Sequence, residues 1–312
     1  MAKIIVDGNQ VLDLGKKGSG NSIKFNRVFT KEGVYAYDTV KWVRQDIKMF
    51  AAGEVVFERK GVEVPAHWGD NALKITISKY IYGEKPGTPE YEDSLKHIFD
   101  RIANTYTVWG FQLGYFDSEK SALIFNQEMK YMLVHQMWAP NSPVWFNIGH
   151  WEQYRWGRPG LRGSLEAKGT TAYYGVETKK GEVEAKKSPS MYANPQASAC
   201  FILGVKDSMD SILRHQYTEG AIFSSGSGIG LNISSMRGEG EPIAGKGSAA
   251  GPLSFDRGWD RMAGAIKSGG KTRRAARMVV MYSDHPDVFE FVNTKFKQEE
   301  VAKVVLQEHN VQ

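Results

Sequence analysis

The residues best suited to chemistry lie between positions 198 and 282, which hold the chain's single cysteine and two glycine-rich loops. Cys200 begins an apolar run, residues 200–205, whose pattern predicts a buried strand. A lone cysteine on such a strand is usually a small apolar filler, and catalysis would need a second thiol or a histidine beside it. The nearest histidine in sequence, His215, falls on a predicted helix, where a structural role is the simpler interpretation, and no spacing typical of metal ligands occurs.

The two glycine-rich loops differ in how well they suit phosphate. The first contains GSGIG at 226–230, which lacks the last glycine of a dinucleotide fingerprint and precedes a strand, so a tight turn explains it equally well. The second is more specific, because Gly269 and Gly270 can expose backbone N–H groups beside Lys271, Arg273 and Arg274. The basic segment around it has no aromatic residue for base stacking, which favours a small nucleotide over a polynucleotide.

Hydrophobic periodicity predicts the elements of the first half of the chain. One helix is predicted around residues 95–102, and a second begins at an Asp or Ser cap and extends over residues 117–136. Short alternating runs between residues 34 and 64 indicate strands. Two prolines in residues 140–147 predict an extended turn that ends the helical region.

Two further helices flank the glycine-rich loops. The first spans residues 208–223 after Asp207, a good N-cap, and the second spans residues 252–267 with Pro252 in its first turn. A short strand follows at residues 278–282, and another helix is expected after it. Both flanking helices have wide apolar faces, for which packing in the core of one domain is the commoner explanation.

Composition indicates a soluble globular protein. The 312 residues are 41% hydrophobic and 24% charged, with a net charge of +5. No run approaches the roughly 18 apolar residues of a membrane span, and the N-terminus lacks the apolar core of a signal peptide, so a reducing cytoplasm is expected. We predict a flexible arm at 1–33, a mainly helical region at 34–149, an inserted surface loop at 150–192 and a unit of alternating strands and helices at 193–312.

Several segments together closely resemble one family, the class II, adenosylcobalamin-dependent ribonucleotide reductases. These segments are NSPVWFN at 141–147, ACFIL at 199–203, DSMDSIL at 207–213, SGSGIGLN at 225–232 and KSGGKTRRAA at 267–276. The resemblance extends from about residue 26 to about residue 303 and includes YIYG at 80–83 and DHPD at 284–287. It implies an α/β fold, namely a ten-stranded barrel that is made of two five-stranded halves and is preceded by a helical region. This chain resembles that helical region and roughly the first half of the barrel.

The resemblance also implies roles for individual residues. Cys200 matches one of the two thiols that reduce the ribose 2′ position and finish as a disulfide. Substrate contacts are implied for Ser142, Ala199, Gly228, Lys271 and Arg273. Contacts to a dNTP effector are implied for Asp207, Ser224, Arg237, Ile243, Lys246 and Arg274, and the loop at 269–276 matches the one that relays effector identity to the substrate base. The helices at 208–223 and 252–267 match the pair that forms a homodimer interface, which replaces the expectation of core packing.

The resemblance stops short of a complete enzyme. No match exists for the radical-forming cysteine, for the Asn-x-Cys-x-Glu segment with the second reducing thiol and the glutamate, or for a C-terminal cysteine pair, and Ala244 stands where relatives can hold arginine. We therefore expect the N-terminal subunit of a split reductase, inactive alone, which needs a second chain that supplies the other half-barrel. Together they would reduce ribonucleoside di- or triphosphates by thiyl radical chemistry started by adenosylcobalamin, with a thioredoxin-type reductant as an indirect partner. A natural split and a truncated chain are equally consistent with the sequence.

Two alternatives stay open. A non-catalytic regulatory protein would bind dATP or dTTP through the same effector residues without needing Cys200. A basic nucleic-acid-binding protein using residues 267–277 would bind any polynucleotide with a steep salt dependence. The reductase hypothesis expects neither a nucleic acid nor a membrane as partner.

Overall fold

The computed structural model describes residues 2–8, 10–83, 85–155, 173–179, 182–190, 192–245, 247–268 and 273–309, with the backbone alone at 173–179, 182–185, 267–268, 273–274 and 308–309. The chain divides into two compact units, residues 1–197 and residues 198–312, and each is described by itself. This boundary places the expected arm, helical region and inserted loop within one unit.

The first unit begins with a β hairpin where the sequence suggested a flexible arm. β1 (Ala2–Asp7) and β2 (Gln10–Gly15) pair antiparallel. A second antiparallel hairpin joins β3 (Trp42–Ala51) to β4 (Glu54–Pro65), as the alternation between residues 34 and 64 predicts. The helices that follow are α1 (Asp70–Tyr80), α2 (Leu95–Gln112) and α3 (Glu119–Val134).

The predicted helices α2 and α3 form the centre of this unit, and each has a serine cap. The Ser94 hydroxyl accepts a hydrogen bond from the N–H of Lys96 at the start of α2. The Ser118 hydroxyl accepts one from the N–H of Ser121 at the start of α3, which confirms one of the two predicted caps. Both helices bury apolar residues at helical spacing, including Ile98 of α2.

The first hairpin packs on α2 and α3. Ile4, Val6 and Leu14 are buried in one cluster with Phe111 and Phe116. The sequence suggested an arm because these few apolar residues are outnumbered by polar and glycine residues in positions 1–33. The hairpin is therefore stabilised by tertiary contacts with the helices, which local composition does not report.

α3 also holds the extended segment that follows the first hairpin. The Glu128 carboxylate accepts hydrogen bonds from the N–H groups of Val28, Phe29 and Thr30 at 3.2, 3.0 and 2.9 Å, and another from the Thr30 hydroxyl. Burial by itself would raise the pKa of Glu128, but hydrogen bonds to its charged form outweigh burial, so its pKa lies below the ordinary 4.5. The ionised carboxylate therefore stabilises this segment at neutral pH.

A short helix, α4 (Ser142–Asn147), stands where two prolines predicted an extended turn. The side-chain oxygen of Asn141 accepts a hydrogen bond from the N–H of Val144 at 3.3 Å and caps the helix. Pro143 lies in the first turn, where the N–H that proline lacks would have no intrahelical partner. The turn prediction was wrong because this proline begins a helix.

The segment expected as an inserted surface loop contains regular elements of its own. These are α5 (His150–Tyr154) and an antiparallel hairpin of β5 (Tyr173–Lys179) and β6 (Glu182–Ser188). After the hairpin, Ser190 and Tyr192 are buried. The end of the segment therefore belongs to the packed interior of the first unit.

The second unit is built on a parallel sheet with strand order β11-β8-β7. Its first elements are β7 (Cys200–Gly204), α6 (Met209–Ser224), β8 (Gly228–Asn232) and α7 (Pro252–Ala265). A short antiparallel pair, β9 (Lys267–Ser268) and β10 (Arg273–Arg274), precedes β11 (Arg277–Val280) and α8 (Val288–His309). Within the described residues the strands close no barrel, and the half-barrel stays a prediction.

The sheet of the second unit is buried on one face only. Phe223 of α6 and Trp259 of α7 pack in one cluster with Ile229 of β8. On the other face Ile202 is 92% exposed and Met278 is 65% exposed. The prediction of a buried strand at 200–205 was therefore wrong for the face of β7 that carries Cys200 and Ile202, since none of the described residues covers it.

No helix within the described ranges is long and apolar enough to cross a bilayer. The same residues contain no group of three or more His, Cys, Asp or Glu side chains that could hold a metal ion.

Candidate functional site

Cys200 and Gly228 are direct neighbours at the start of two parallel strands, where their Cα atoms are register partners. The N–H of Gly228 donates a hydrogen bond to the carbonyl oxygen of Ala199 at 2.7 Å. Just before each strand, the Ser227 hydroxyl donates to the carbonyl oxygen of Ser198. The structure thus brings three predicted substrate residues together at one end of the sheet, with the cysteine exposed.

Gly228 lies where a side chain would be obstructed. A Cβ atom there would lie 3.0 Å from the carbonyl oxygen of Ala276 and 3.4 Å from its Cβ. The N–H of Ile229 donates a hydrogen bond to the same carbonyl at 3.0 Å. The residue that ends the second glycine-rich loop therefore contacts the strand that carries Gly228.

Ser142, another predicted substrate residue, belongs to the first unit and lies at the start of α4. Its hydroxyl is 3.0 Å from the hydroxyl of Tyr80, and either oxygen can donate. The Tyr80 ring stacks on Trp145, with centroids 5.5 Å apart and an angle of 20° between the planes. Sequence reasoning did not assign Tyr80 to the site, although it opens the YIYG segment.

Asp207 and Arg237 meet at a cavity of about 430 Å³. The Nε atom of Arg237 lies 2.6 Å from Oδ2 of Asp207, and the two side chains are 36% and 32% exposed. Ile243, Ser248 and Phe255 also line this cavity. Its volume falls within the roughly 300–1,000 Å³ of small-molecule sites, and its walls combine opposite charges with apolar groups. Three predicted effector residues thus converge here.

The Asp207 carboxylate can face Arg237 because Asp207 is not the helix cap. Ser208 caps α6 instead, with its hydroxyl accepting a hydrogen bond from the N–H of Ser211 at 3.3 Å. The sequence prediction of the N-cap was therefore wrong by one residue. This shift of one residue decides the partner of the Asp207 carboxylate, since a capping carboxylate would be turned toward the helix instead of toward Arg237.

Ser224 does not line the cavity of Asp207. It is the last residue of α6, is exposed, and donates its hydroxyl hydrogen to the carbonyl oxygen of Ala221 at 2.8 Å. Asp207 precedes the first turn of the same 16-residue helix, which at about 1.5 Å per residue is about 24 Å long. One copy of the chain therefore cannot bring Asp207 and Ser224 to the same sugar.

The remaining predicted site residues are basic. Lys246 and Lys271 lie outside the described residues. Arg273 and Arg274 form β10, and their side chains are also outside the described part of the chain. Their predicted contacts to substrate or effector stay predictions.

The loop between β8 and α7 is held in place by the DHPD segment, a role that sequence reasoning missed. Nδ1 of His285 accepts a hydrogen bond from the N–H of Asp287 at 3.1 Å, so Nε2 carries the hydrogen and donates to the carbonyl oxygen of Met236 at 2.8 Å. The Asp287 carboxylate in turn accepts from the N–H of Glu239 at 3.1 and 3.2 Å. These bonds fix the loop on both sides of Arg237.

The outer surfaces of α6 and α7 carry apolar side chains. Met209, Leu213 and Tyr217 of α6 are 57%, 57% and 80% exposed, and Met262 of α7 is 41% exposed. The three residues of α6 are four positions apart and therefore lie on one side of the helix. An exposed apolar stripe of this kind is typical of a protein interface.

Comparison with known families agrees with the geometry. Residues 43–136 match the family described as class II vitamin B12-dependent ribonucleotide reductase, and residues 198–311 match the barrel domain of ribonucleotide reductase. The chain belongs to the class II, vitamin B12-dependent ribonucleotide reductase family. The resemblance of its motifs to this family is thereby confirmed.

Individual relatives extend well beyond this chain. A vitamin B12-dependent ribonucleotide reductase of Streptomyces coelicolor is 43% identical over 289 residues, which is 92% of this chain and 26% of the relative. One from Rhodopirellula baltica is 35% identical over 294 residues, which is 94% of this chain and 27% of the relative. A vitamin B12-dependent ribonucleoside-diphosphate reductase of Thermoplasma acidophilum is 38% identical over 107 residues, or 34% of this chain and 14% of the relative. The chain thus spans about a quarter of the length of the first two relatives.

Proposed function

We propose that the chain is the N-terminal, effector-binding part of a ribonucleotide reductase that converts ribonucleoside di- or triphosphates to 2′-deoxyribonucleotides. The observation that carries this proposal is the exposed Cys200 beside Ala199 and Gly228, three residues that match substrate positions of the family. A reducing cytoplasm, where we expect the protein to act, keeps such a thiol available.

The chemistry requires more than one thiol. Reduction replaces the C–O bond at the ribose 2′ carbon by a C–H bond, and the hydroxyl leaves as water. Two thiols supply the two electrons and two hydrogens and end as a disulfide, which a thioredoxin-type reductant must reduce again. Cys200 is the single cysteine among 312 residues. One copy of these 312 residues therefore cannot supply both thiols. We propose that a second polypeptide provides the other thiol, and we expect the isolated chain to be inactive.

Adenosylcobalamin, when bound, supplies the radical that starts the chemistry of this family. The cavity at Asp207 and Arg237, at about 430 Å³, does not suit it, because a corrin with its nucleotide arm is much larger. We therefore assign no residue of this cavity to the cofactor and propose that the second polypeptide contributes the cofactor site.

The uncovered sheet face supports an incomplete barrel. Ile202 of β7 and Met278 of β11 are 92% and 65% exposed, and Val280 of β11 is 36% exposed. An apolar face of this kind is costly to leave in water. We propose that the other half-barrel, supplied by the second polypeptide, covers this face and completes the ten-stranded barrel.

We further propose that dNTP effectors bind at Asp207 and Arg237 between two copies of the chain. Ser224 lies at the far end of α6, so it can reach the effector at Asp207 only from the other copy, with the two α6 helices antiparallel. The exposed stripe of Met209, Leu213 and Tyr217 supports such a pairing. An effector bound across the interface would be linked to the geometry of the dimer.

If a neighbouring reading frame encodes a polypeptide with the missing cysteines, the test uses this chain purified together with that polypeptide. The expected result is reduction of CDP or CTP that depends on adenosylcobalamin and a dithiol. Cys200→Ser should abolish turnover while dATP and dTTP binding and thermal melting stay unchanged.

The outcomes separate the alternatives. If the wild-type mixture reduces no ribonucleotide, the reductase function is refuted. Binding of dATP or dTTP in that case would favour the non-catalytic regulatory protein. Binding of any polynucleotide with a steep salt dependence, and of no dNTP, would favour the nucleic-acid-binding alternative.

A further inference from the structure

We propose that Arg277 is a positioning residue that connects the two helices of the effector cavity to the strand of the substrate site. It would transmit effector binding to Gly228 without touching either ligand. The proposal rests on the proposed function, since it requires a nucleotide to bind at Asp207 and Arg237.

Arg277, the first residue of β11, joins α6 to α7 through two ion pairs. Its Nε atom lies 2.7 Å from Oε1 of Glu219 on α6, and its Nη2 atom lies 2.7 Å from Oδ1 of Asp256 on α7. The side chains of Arg277, Glu219 and Asp256 are only 7%, 4% and 22% exposed. One guanidinium group therefore holds both helices at once, in a place largely closed to water.

The neighbouring groups fix this arrangement further. The second carboxylate oxygen of Glu219 lies 3.0 Å from Nε2 of His215. The guanidinium carbon of Arg277 lies 5.8 Å from the ring centroid of Trp259, whose ring is 4.6 Å from that of His215. Because a buried charge that loses its partner is strongly destabilising, the ion pairs should persist and move as a unit when a helix shifts.

On one side, the two helices that bind Arg277 also line the effector cavity. Met209 and Ile212 of α6 and Phe255 of α7 line the cavity, and Phe255 directly precedes Asp256. A ligand that changes the spacing of α6 and α7 must therefore change the positions of the two carboxylates that bind Arg277.

On the other side, Arg277 adjoins the substrate strand. Its Cα atom is the register partner of Ile229 in β8. The preceding carbonyl, that of Ala276, accepts the hydrogen bond from the N–H of Ile229 and lies 3.0 Å from where a Cβ of Gly228 would be. A displacement of Arg277 therefore reaches the Gly228 backbone through a single residue.

Hydrogen exchange of the dimeric chain tests this link, with dATP and dTTP as probes. In the wild type, a saturating dNTP should slow exchange in the peptides that contain residues 228–232 and 275–280 by about fivefold or more, the lower end of ordinary allosteric coupling. In Arg277→Lys, which cannot fork to two carboxylates, the dNTP should still bind within about threefold of the wild-type Kd, but the slowing should be lost.

Two further variants guard against misfolding and non-specific effects. Arg257→Gln, also on α7 but 59% exposed, should behave as the wild type. If Arg277→Lys melts much below the wild type, Glu219→Gln serves instead, because it removes one ion pair while keeping a hydrogen-bonding oxygen. Glu219→Gln is expected to bind the dNTP and to lose the slowing as well.

The failures are distinguishable. If the wild type binds dNTP but exchange at 228–232 does not respond, or if Arg277→Lys retains the response, the link through Arg277 is refuted and the proposed function stands. Loss of dNTP binding by a folded Arg277→Lys would also refute it, since that result would place Arg277 in the binding site. If the wild type binds no dNTP, both the effector site and this inference fail.

Discussion

Replacing Arg237 by glutamine separates the role of its ion pair in stability from its role in effector binding. The Arg237 to Asp207 pair is short, at 2.6 Å, but its two side chains are 36% and 32% exposed. A second hydrogen bond, from Nη1 to the carbonyl oxygen of Pro242, is long at 3.4 Å. Solvent screening therefore limits what the pair contributes to folding.

The substitution is expected to change the free energy of nucleotide binding several times more than the free energy of unfolding. Partly exposed ion pairs contribute about 0.2–1 kcal/mol to the free energy of unfolding, so Arg237→Gln should lower Tm by no more than roughly 2–4 °C. A charge-assisted hydrogen bond to a bound nucleotide contributes about 1.5–3 kcal/mol, which corresponds to a Kd roughly 10- to 100-fold weaker. The variant should therefore fold normally and bind dATP or dTTP poorly.

Titration calorimetry with both dNTPs and thermal melting check this expectation on the same samples. Arg44→Gln is the matched control, because Arg44 forms a 3.2 Å pair with Asp93, has a side chain 56% exposed, and belongs to the first unit. Its Tm change should be similar and its dNTP affinity unchanged. The reasoning would be refuted by an Arg237→Gln variant whose Kd stays within about twofold of the wild type, or by a control that loses affinity equally.

Three other changes test separate parts of the structure. Gly228→Ala places a Cβ 3.0 Å from the carbonyl oxygen of Ala276, so the free energy of unfolding should fall by about 1–3 kcal/mol in denaturant titrations. Gly230→Ala, whose added Cβ would have nothing within 4 Å, should lower the free energy of unfolding clearly less than Gly228→Ala does. Equal decreases in the two variants would contradict the steric explanation. Tyr217→Asp places a charge on the α6 stripe at a residue 80% exposed. If α6 forms the dimer interface, light scattering should show a monomer that still unfolds cooperatively, with a Tm no higher than that of the wild type because the stabilisation by dimerisation is lost. Because the folded pKa of Glu128 lies below 4.5, its stabilisation is complete above about pH 4.5 and is lost as the pH falls through the folded pKa. Below about pH 4.5, Glu128→Gln should reduce the slope of the unfolding free energy plotted against pH. An unchanged slope would show that other groups cause the loss of stability in acid.

The elements that the sequence predicts well are those with enough residues to show a period. Such patterns occur in α2, α3, α7 and the strands of the second hairpin, and the structure confirms these predicted elements. The first hairpin has short strands in a polar context, and its stability comes from Phe111 and Phe116, about a hundred positions away. A local pattern contains no information on such contacts. The same limit explains α4, where Pro143 is compatible with both a helix start and a turn.

The candidate site was predicted as separate motifs, and the pairings between them were not. Cys200 and Gly228 become neighbours because β7 and β8 pair in parallel. Asp207 forms an ion pair with Arg237, and its carboxylate is available for this pair because Ser208, one position later, caps the helix. Arg277 was counted only as one more basic residue of a phosphate-binding segment, whereas its guanidinium is directed into the protein. Spacing along the chain cannot distinguish a buried arginine from one that faces a ligand.

The distance between Asp207 and Ser224 along α6 has a consequence for mixtures of defective proteins. In a symmetric dimer each effector pocket would take its aspartate from one copy and its serine from the other. A heterodimer of Asp207→Asn with Ser224→Ala would then contain one pocket with both defects and one pocket with none. Two variants that each fail to respond to dNTP should therefore complement each other when their subunits are exchanged, and a protein whose pockets lie within single chains would show no such rescue.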